Sequence, residues 1–155
     1  SLIVASDMRR AVDTAQAVSD LVGVDVRVDK RLRERAYGPW EGLKRTEIAE
    51  RFPDEYERWQ ARKPFHLEGM EALSEVAERT AAALSEVAAE LREGTAIVTT
   101  HGGSSRQGIV RFLGWPQAQA NSMSGMENCH WAELRSAPSG WRLYGYNLSA
   151  NSAAG

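Results

Sequence analysis

Three short polar clusters carry residue types able to handle an anionic group: Ser6-Asp7 with Arg10, Arg31 with Glu34-Arg35, and His101-Gly102-Gly103-Ser104. A guanidinium such as that of Arg10 grips a phosphate or carboxylate through two parallel N–H bonds, although a lone arginine on a helix is more often a solvated one. The carboxyl of Glu34 can give or take a proton if it lines a crevice, whereas a surface ion pair is the plainer reading for a glutamate between Arg33 and Arg35. His101 precedes two glycines and a helix-forming run, which would turn its imidazole and the first helical N–H groups toward one anion. The competing reading is a histidine hydrogen-bonded at a strand end, with the glycines serving only the turn.

The elements that must position these clusters are legible from periodicity. Leu2 to Ala5 reads as a buried strand, Ser6-Asp7 as a helix cap, and Met8, Ala11, Ala15, Val18 and Val22 as the apolar stripe of a helix stopped by Gly23. Val24, Val26 and Val28 alternate with charged residues, which predicts a strand with one buried face. Tyr37 to Gly42 reads as a loop with an aromatic anchor. Thr46 is expected to cap a short helix ended by Pro53, and Tyr56 and Trp59 to share a second one. Glu71 to Glu93 predicts the longest helix, with Leu73, Val76, Thr80, Leu84, Val87 and Leu91 inward and Glu71 in its first turn, favourable for the helix dipole. Ala96 to Thr100 is a strand running into His101, followed by a helix through Ile109, Val110 and Leu113. Cys129 to Leu134 and Trp141 to Tyr146 read as two strands about the turn Ala137-Pro138-Ser139-Gly140.

Strands alternating with helices predict an α/β fold: a three-layer sandwich with a mostly parallel central sheet and helices on both faces, in residues 1–148, followed by a flexible tail at 149–155. In such sheets ligands bind beyond the carboxyl ends of the strands, where all three polar clusters are expected to fall.

Composition narrows the function classes. With 19 Lys+Arg against 21 Asp+Glu, the net charge of −2 gives no reason to expect nucleic acid or an anionic membrane as partner. No apolar run approaches the roughly 20 residues needed to span a bilayer. The single cysteine, Cys129, excludes an intramolecular disulfide framework or a cysteine-clustered metal site and predicts a reducing, cytoplasmic location. Edge strands late in the chain offer a surface for a homodimer.

The ordered segments Ser-Asp-Met-Arg-Arg-Ala…Thr-Ala (Ser6 to Ala15), Leu-Arg-Glu-Arg-Ala-Tyr-Gly-Pro-Trp-Glu-Gly (Leu32 to Gly42) and Thr-His-Gly-Gly (Thr100 to Gly103) together resemble the histidine phosphatase superfamily, in its phosphoglycerate mutase-like branch. The resemblance runs from Ser1 to Asn147 and implies phosphoryl transfer through a phosphohistidine, with a small-molecule phosphate ester as substrate and neither metal nor cofactor. It assigns Arg10 and His101 to the phosphoryl group and Glu34 to protonation of the leaving oxygen, with Tyr37 and Gly102 as further substrate contacts.

Two departures accompany the match. The family's Arg-His-Gly motif, which carries the attacking histidine, is not found: the three histidines are His66, His101 and His130, and His101 matches the family's second one. The nucleophile, its strand and a helix are therefore expected upstream of Ser1, and His66 and His130 are expected to be structural. Gly69-Met70-Glu71-Ala72 replaces the Gly-Gly-Glu-Ser of many members. The interval from Gly42 to Gly69 is short and offers Lys44, Arg45, Arg62 and Lys63 as basic contacts, which resembles the compact phosphatases more than the mutases. Trp40, Trp59, Phe65 and Trp115 leave pocket and core roles open. Mutase-type transfer and an inactive phosphate-binding module remain as alternatives. Candidate substrates are phosphosugars, phosphoglycerate derivatives including phosphoglycerate-linked sugars, and nucleotide-loop phosphomonoesters.

Overall fold

The computed structural model describes residues 1–91 and 93–150. Its centre is the run Leu2–Ala5, strand β1, which is buried because it pairs on both sides in parallel. It faces β2 (Val26–Val28) in the register Ile3↔Val26 and β3 (Ala96–Thr99) in the register Ile3↔Ile97, giving the order β2-β1-β3. Alternation along β1 divides the core between two faces. Ile3 and Ala5 pack with Ala15, Val12 and Val18 of helix α1 (Arg9–Val22). Val4 on the opposite face packs with Leu32 and with Ala83 and Val87 of helix α4 (Leu73–Glu90). The result is the expected α/β arrangement, with helices on both faces of a parallel sheet.

Helix α5 (Gly102–Phe112) leaves the end of β3 and lies against α4. Their approach depends on Gly108: a Cβ there would stand 2.3 Å from Thr80 Cγ2, so only glycine lets the two backbones come this close. Two short helices, α2 (Arg45–Arg51) and α3 (Pro53–Gln60), fold over the buried Trp40, whose ring meets Phe52, Tyr56, Trp59 and Phe65. Two of the basic residues of this interval engage neighbours, Arg45 lying over the Trp59 ring and the Arg62 guanidinium donating to the Asn121 carbonyl. An antiparallel ribbon of β4 (Trp131–Ala137) and β5 (Gly140–Leu148) forms a second sheet, turning at Pro138-Ser139.

Several boundaries differ from the sequence reading for identifiable reasons. The N-cap of α1 is Met8 rather than Ser6-Asp7, because the Ser6 hydroxyl is taken by His101 and the Asp7 carboxylate by Arg33. Val22 is 56 % exposed, since α1 overruns the sheet it covers. Strand β2 omits Val24, and Val28 is 50 % exposed because β2 is an outer strand. Thr46 lies inside α2, where Lys44 occupies the cap position and donates its N–H to the Glu47 carboxylate. Helix α4 begins at Leu73, which is 43 % exposed. Its inward stripe is Val76, Ala77, Thr80, Ala81, Ala83 and Val87, and Glu71 precedes the helix rather than opening it. Cys129, in the left-handed region at φ 62°, turns the chain before β4, so neither it nor His130 belongs to the strand. The tail expected at 149–155 lies outside the described residues from 151 onward, as does position 92 within the long helix expected from the sequence.

Candidate active site

Parallel pairing brings the carboxyl ends of β1 and β3 side by side, and two motif residues meet there. Ser6 continues β1, its N–H donating to the Thr99 carbonyl at 2.8 Å, and His101 is the N-cap of α5. The imidazole Nε2 of His101 lies 2.9 Å from Ser6 Oγ, with both residues buried. Burial holds the imidazole below its ordinary pKa of 6.5. The positive charge of Arg10 pushes the same way, while the negative charge of Glu34 opposes it. At neutral pH the ring is therefore uncharged, and fixed positive charge in this crevice comes from arginine.

Glu34 reaches the N-terminus of α5 from the loop after the turn Lys30–Leu32. Its Oε2 accepts the Gly103 N–H at 3.1 Å, and its Oε1 accepts the Ser104 N–H at 3.0 Å and the Arg35 N–H at 2.9 Å. The Ser104 hydroxyl stands 3.0 Å from Oε1. The helix-terminal donors expected to face an external anion thus hold a carboxylate of the chain itself. Glycine at 103 is what permits this, because a Cβ would lie 2.6 Å from Oε1. At Gly102 a Cβ would meet the Met126 carbonyl oxygen at 2.7 Å, so that glycine admits the loop between α5 and β4.

Arg10 sits in the first turn of α1 with its side chain exposed. Its guanidinium meets the Met8 sulfur at 3.5 Å, and its charge reaches His101. Tyr37 is half-buried near the same place. Its hydroxyl is pushed above the usual tyrosine range by burial and by the charge of Glu34, against the pull of Arg35 and Arg106. The charges of Arg10 and Glu34 thus act on His101, that of Glu34 acts on Tyr37, and Gly102 follows His101 at the α5 terminus. His66 and His130 lie elsewhere. His66 borders a surface recess with Asp54, Glu55 and Arg58, and His130 Nδ1 lies 3.0 Å from both the carbonyl and the side-chain oxygen of Asn147.

The group at the centre of the loop that carries Glu34, Arg79, was not singled out in the sequence. Arg79, on α4 beside the buried stripe, donates to the carbonyls of Arg31 and Arg33 at 2.7 Å and of Glu34 at 3.2 Å. The same guanidinium grips Glu71 at 2.6 and 2.9 Å. Glu71 also accepts the Ala36 N–H at 3.1 Å, and these bonds hold its carboxyl below the ordinary range despite burial. Arg33 forms a two-pronged pair with Asp7 at 2.6 and 2.7 Å, tying this loop to the end of β1, and the Arg33 hydrogen bonds and charge hold the Asp7 carboxyl below its usual range. A groove of about 390 Å³ runs along this support, bordered by Lys30, Arg33, Glu34, Glu71 and Arg79. Glu34 borders this groove and His101 does not. The one signal available in the sequence was an arginine beside the α4 stripe, between Val76 and Thr80, where an unpaired charge would be costly.

The arrangement suits transfer of a phosphoryl group: at the ends of parallel strands, His101 feels the charges of an arginine, Arg10, and a carboxyl group, Glu34. Comparison with known proteins agrees. The model of the histidine phosphatase superfamily, branch 1, matches residues 1–149. The glucosyl-3-phosphoglycerate phosphatase of Mycobacterium tuberculosis is 34 % identical over 165 residues, spanning 96 % of this chain and 74 % of that protein. The enzyme of the same name from Mycolicibacterium vanbaalenii is 31 % identical over 170 residues, spanning 98 % and 76 %. The mycobacterial glucosyl-3-phosphoglycerate phosphatase solved with inorganic phosphate superposes with a TM-score of 0.86 at 33 % identity, over 96 % of this chain and 77 % of that one.

Proposed function

The chain belongs to branch 1 of the histidine phosphatase superfamily, and from that footing we propose that it hydrolyses an alkyl phosphomonoester, with a phosphoglycerate-linked sugar as the substrate class, through a phosphohistidine. The observation that carries this reading is the seat of Glu34, a carboxyl group placed on the α5 terminus beside His101. A protonated carboxyl there is needed only when the departing oxygen is too basic to leave alone, as a sugar or glycerate oxygen is. The substrate class follows the two mycobacterial relatives.

In this mechanism Arg10 and His101 hold the equatorial phosphoryl oxygens, the guanidinium as the cation and the neutral imidazole as a hydrogen-bonding group. An imidazole attacks phosphorus in line, the P–O bond breaks, and Glu34 gives its proton to the leaving oxygen. The carboxylate then takes a proton from the water that attacks the phosphohistidine. Tyr37 and Gly102 border the bound ester. The attacking imidazole is none of the three histidines of the sequence: His101 is committed to the phosphoryl group, His66 lies at a separate surface recess, and His130 is hydrogen-bonded to Asn147. We place it on a further strand pairing with the outer edge of β3, where Ile97 is 37 % exposed.

The test is hydrolysis by the full-length protein in the presence of EDTA. Glucosyl-3-phosphoglycerate should be turned over faster than 3-phosphoglycerate or p-nitrophenyl phosphate, with an acid-labile phosphoenzyme trapped on quenching. Turnover that requires added metal, or no phosphoenzyme during turnover, would overturn the reading. Transfer of phosphate between glycerate positions in place of release would make the chain a mutase.

A further inference from the structure

The two oxygens of Glu34 are held unequally. Among the described residues, Oε1 faces three donors, the N–H groups of Arg35 and Ser104 and the hydroxyl of Ser104, whereas Oε2 faces the N–H of Gly103. A proton on Oε1 would have to point into a fan of donors, which leaves Oε2 as the oxygen placed to hand over a proton. The Ser104 hydroxyl is itself poised between two acceptors. Its oxygen lies 3.0 Å from Glu34 Oε1 and 2.6 Å from the Arg33 carbonyl, and Ser104 is fully buried. One hydroxyl hydrogen serves both, and the stronger acceptor claims it. With Glu34 protonated, the shorter contact to the Arg33 carbonyl is favoured; with Glu34 ionised, the bond to Oε1 becomes charge-assisted and about twice as strong.

We propose that Ser104 is a positioning residue for the acid step, its hydroxyl turning from the Arg33 carbonyl to Glu34 Oε1 as Oε2 gives up its proton. The inference rests on the reading of Glu34 as the acid. As the P–O bond breaks, its electron pair stays on the leaving oxygen, which takes the proton from Oε2, while phosphorus bonds to the attacking nitrogen. The charge left on the carboxylate is met at Oε1 by a donor that was otherwise engaged in the ground state. An interaction that strengthens only as charge develops lowers the barrier rather than binding substrate. Arg79 donates to the Arg33 carbonyl, one of the two acceptors, and to the backbone carbonyl of Glu34, whose side chain carries the other.

The experiment compares an alkyl phosphate, glycerol 3-phosphate, with an activated one, 2,4-dinitrophenyl phosphate, in the full-length protein. Ser104→Ala should lower kcat for the alkyl ester roughly 10- to 100-fold, the worth of one charge-assisted hydrogen bond. It should change kcat for the activated ester by less than about threefold and leave both KM values near wild type, because the bond forms only when the proton departs. Ser104→Cys, which keeps the side chain and weakens the donor, should show the same selectivity and so separate hydrogen bonding from packing. Equal losses on the two esters, or no loss on the alkyl ester while Glu34→Gln remains selective, would overturn the role of Ser104 alone. An unselective Glu34→Gln would overturn it together with the acid assignment.

Discussion

The carboxylate of Glu34 rests on the backbone of Gly103, whose N–H donates to Oε2 at 3.1 Å, and a Cβ at position 103 would come within 2.6 Å of Oε1. Sequence distance hides this contact, since 69 residues separate the two. It joins the loop after β2 to the first turn of α5 and makes the acid part of a helix terminus.

Gly103→Ala therefore displaces the carboxylate rather than the helix, since the atom in the way is the tip of a side chain. Activity toward alkyl phosphates should fall at least about tenfold, the range for losing a placed acid. The thermal midpoint should stay within a few degrees of wild type. Paired kinetics and calorimetry check this, and an unfolded variant would contradict it.

Gly108→Ala meets a different neighbour. The new Cβ would lie 2.3 Å from Thr80 Cγ2 and 2.7 Å from its Cβ, so α4 and α5 must separate. Overpacking of this kind costs roughly 1–3 kcal/mol. Urea unfolding should show a lower midpoint, and Thr80→Ser in the same background should recover part of it by removing the methyl group.

Arg79→Gln removes the clamp on the Glu34 loop and leaves Glu71 without its ion partner. Both side chains are about one-fifth exposed, at 21 % and 18 %, so the cost should fall near the low end for a broken buried pair, about 3 kcal/mol. Arg79→Lys should recover little, because one ammonium cannot reach three carbonyls and both oxygens of a carboxylate. Denaturant melts of the two variants decide this, and full rescue by lysine would contradict the clamp.

His101 gives stability a pH dependence. Its folded pKa lies below 6.5, so between 6.5 and that lower value the unfolded chain binds more protons. Stability is full above about pH 6.5 and falls as pH drops through the folded value. The thermal midpoint should decline between pH 7.5 and 5.5, and His101→Gln, which cannot charge, should flatten that decline. An unchanged slope in the variant would contradict the assignment.

What could be read from the sequence was local. β1, β3 and α5 lie close to their periodic or glycine-marked spans, and the clusters that hold Arg10, Glu34 and His101 could be placed at strand ends because a parallel sheet gathers those ends on one side. What could not be read depended on partners far along the chain. Ser6 looks like a helix cap until His101, 95 residues later, takes its hydroxyl. Glu71 looks like a first-turn residue until Arg79 draws it back toward Ala36. The exposure of Val22 and Val28 reflects how far each element extends past its neighbours, which alternation along one segment does not encode. Arg79 lies within a run read for packing, so its polar role was masked by the pattern that placed it; Ser104 stood in the His101 cluster, but its partner Glu34 lies 70 residues away.

The most direct measurement of the central claim is the leaving-group dependence of kcat/KM for wild type and Glu34→Gln across a series from 2,4-dinitrophenyl phosphate to glycerol 3-phosphate. If Glu34 is the acid, the variant loses roughly 10²- to 10⁴-fold on the alkyl ester and little on the activated one, so the dependence steepens. Parallel lines, with the same loss on every ester, would contradict it and remove Glu34 from the proton-transfer step.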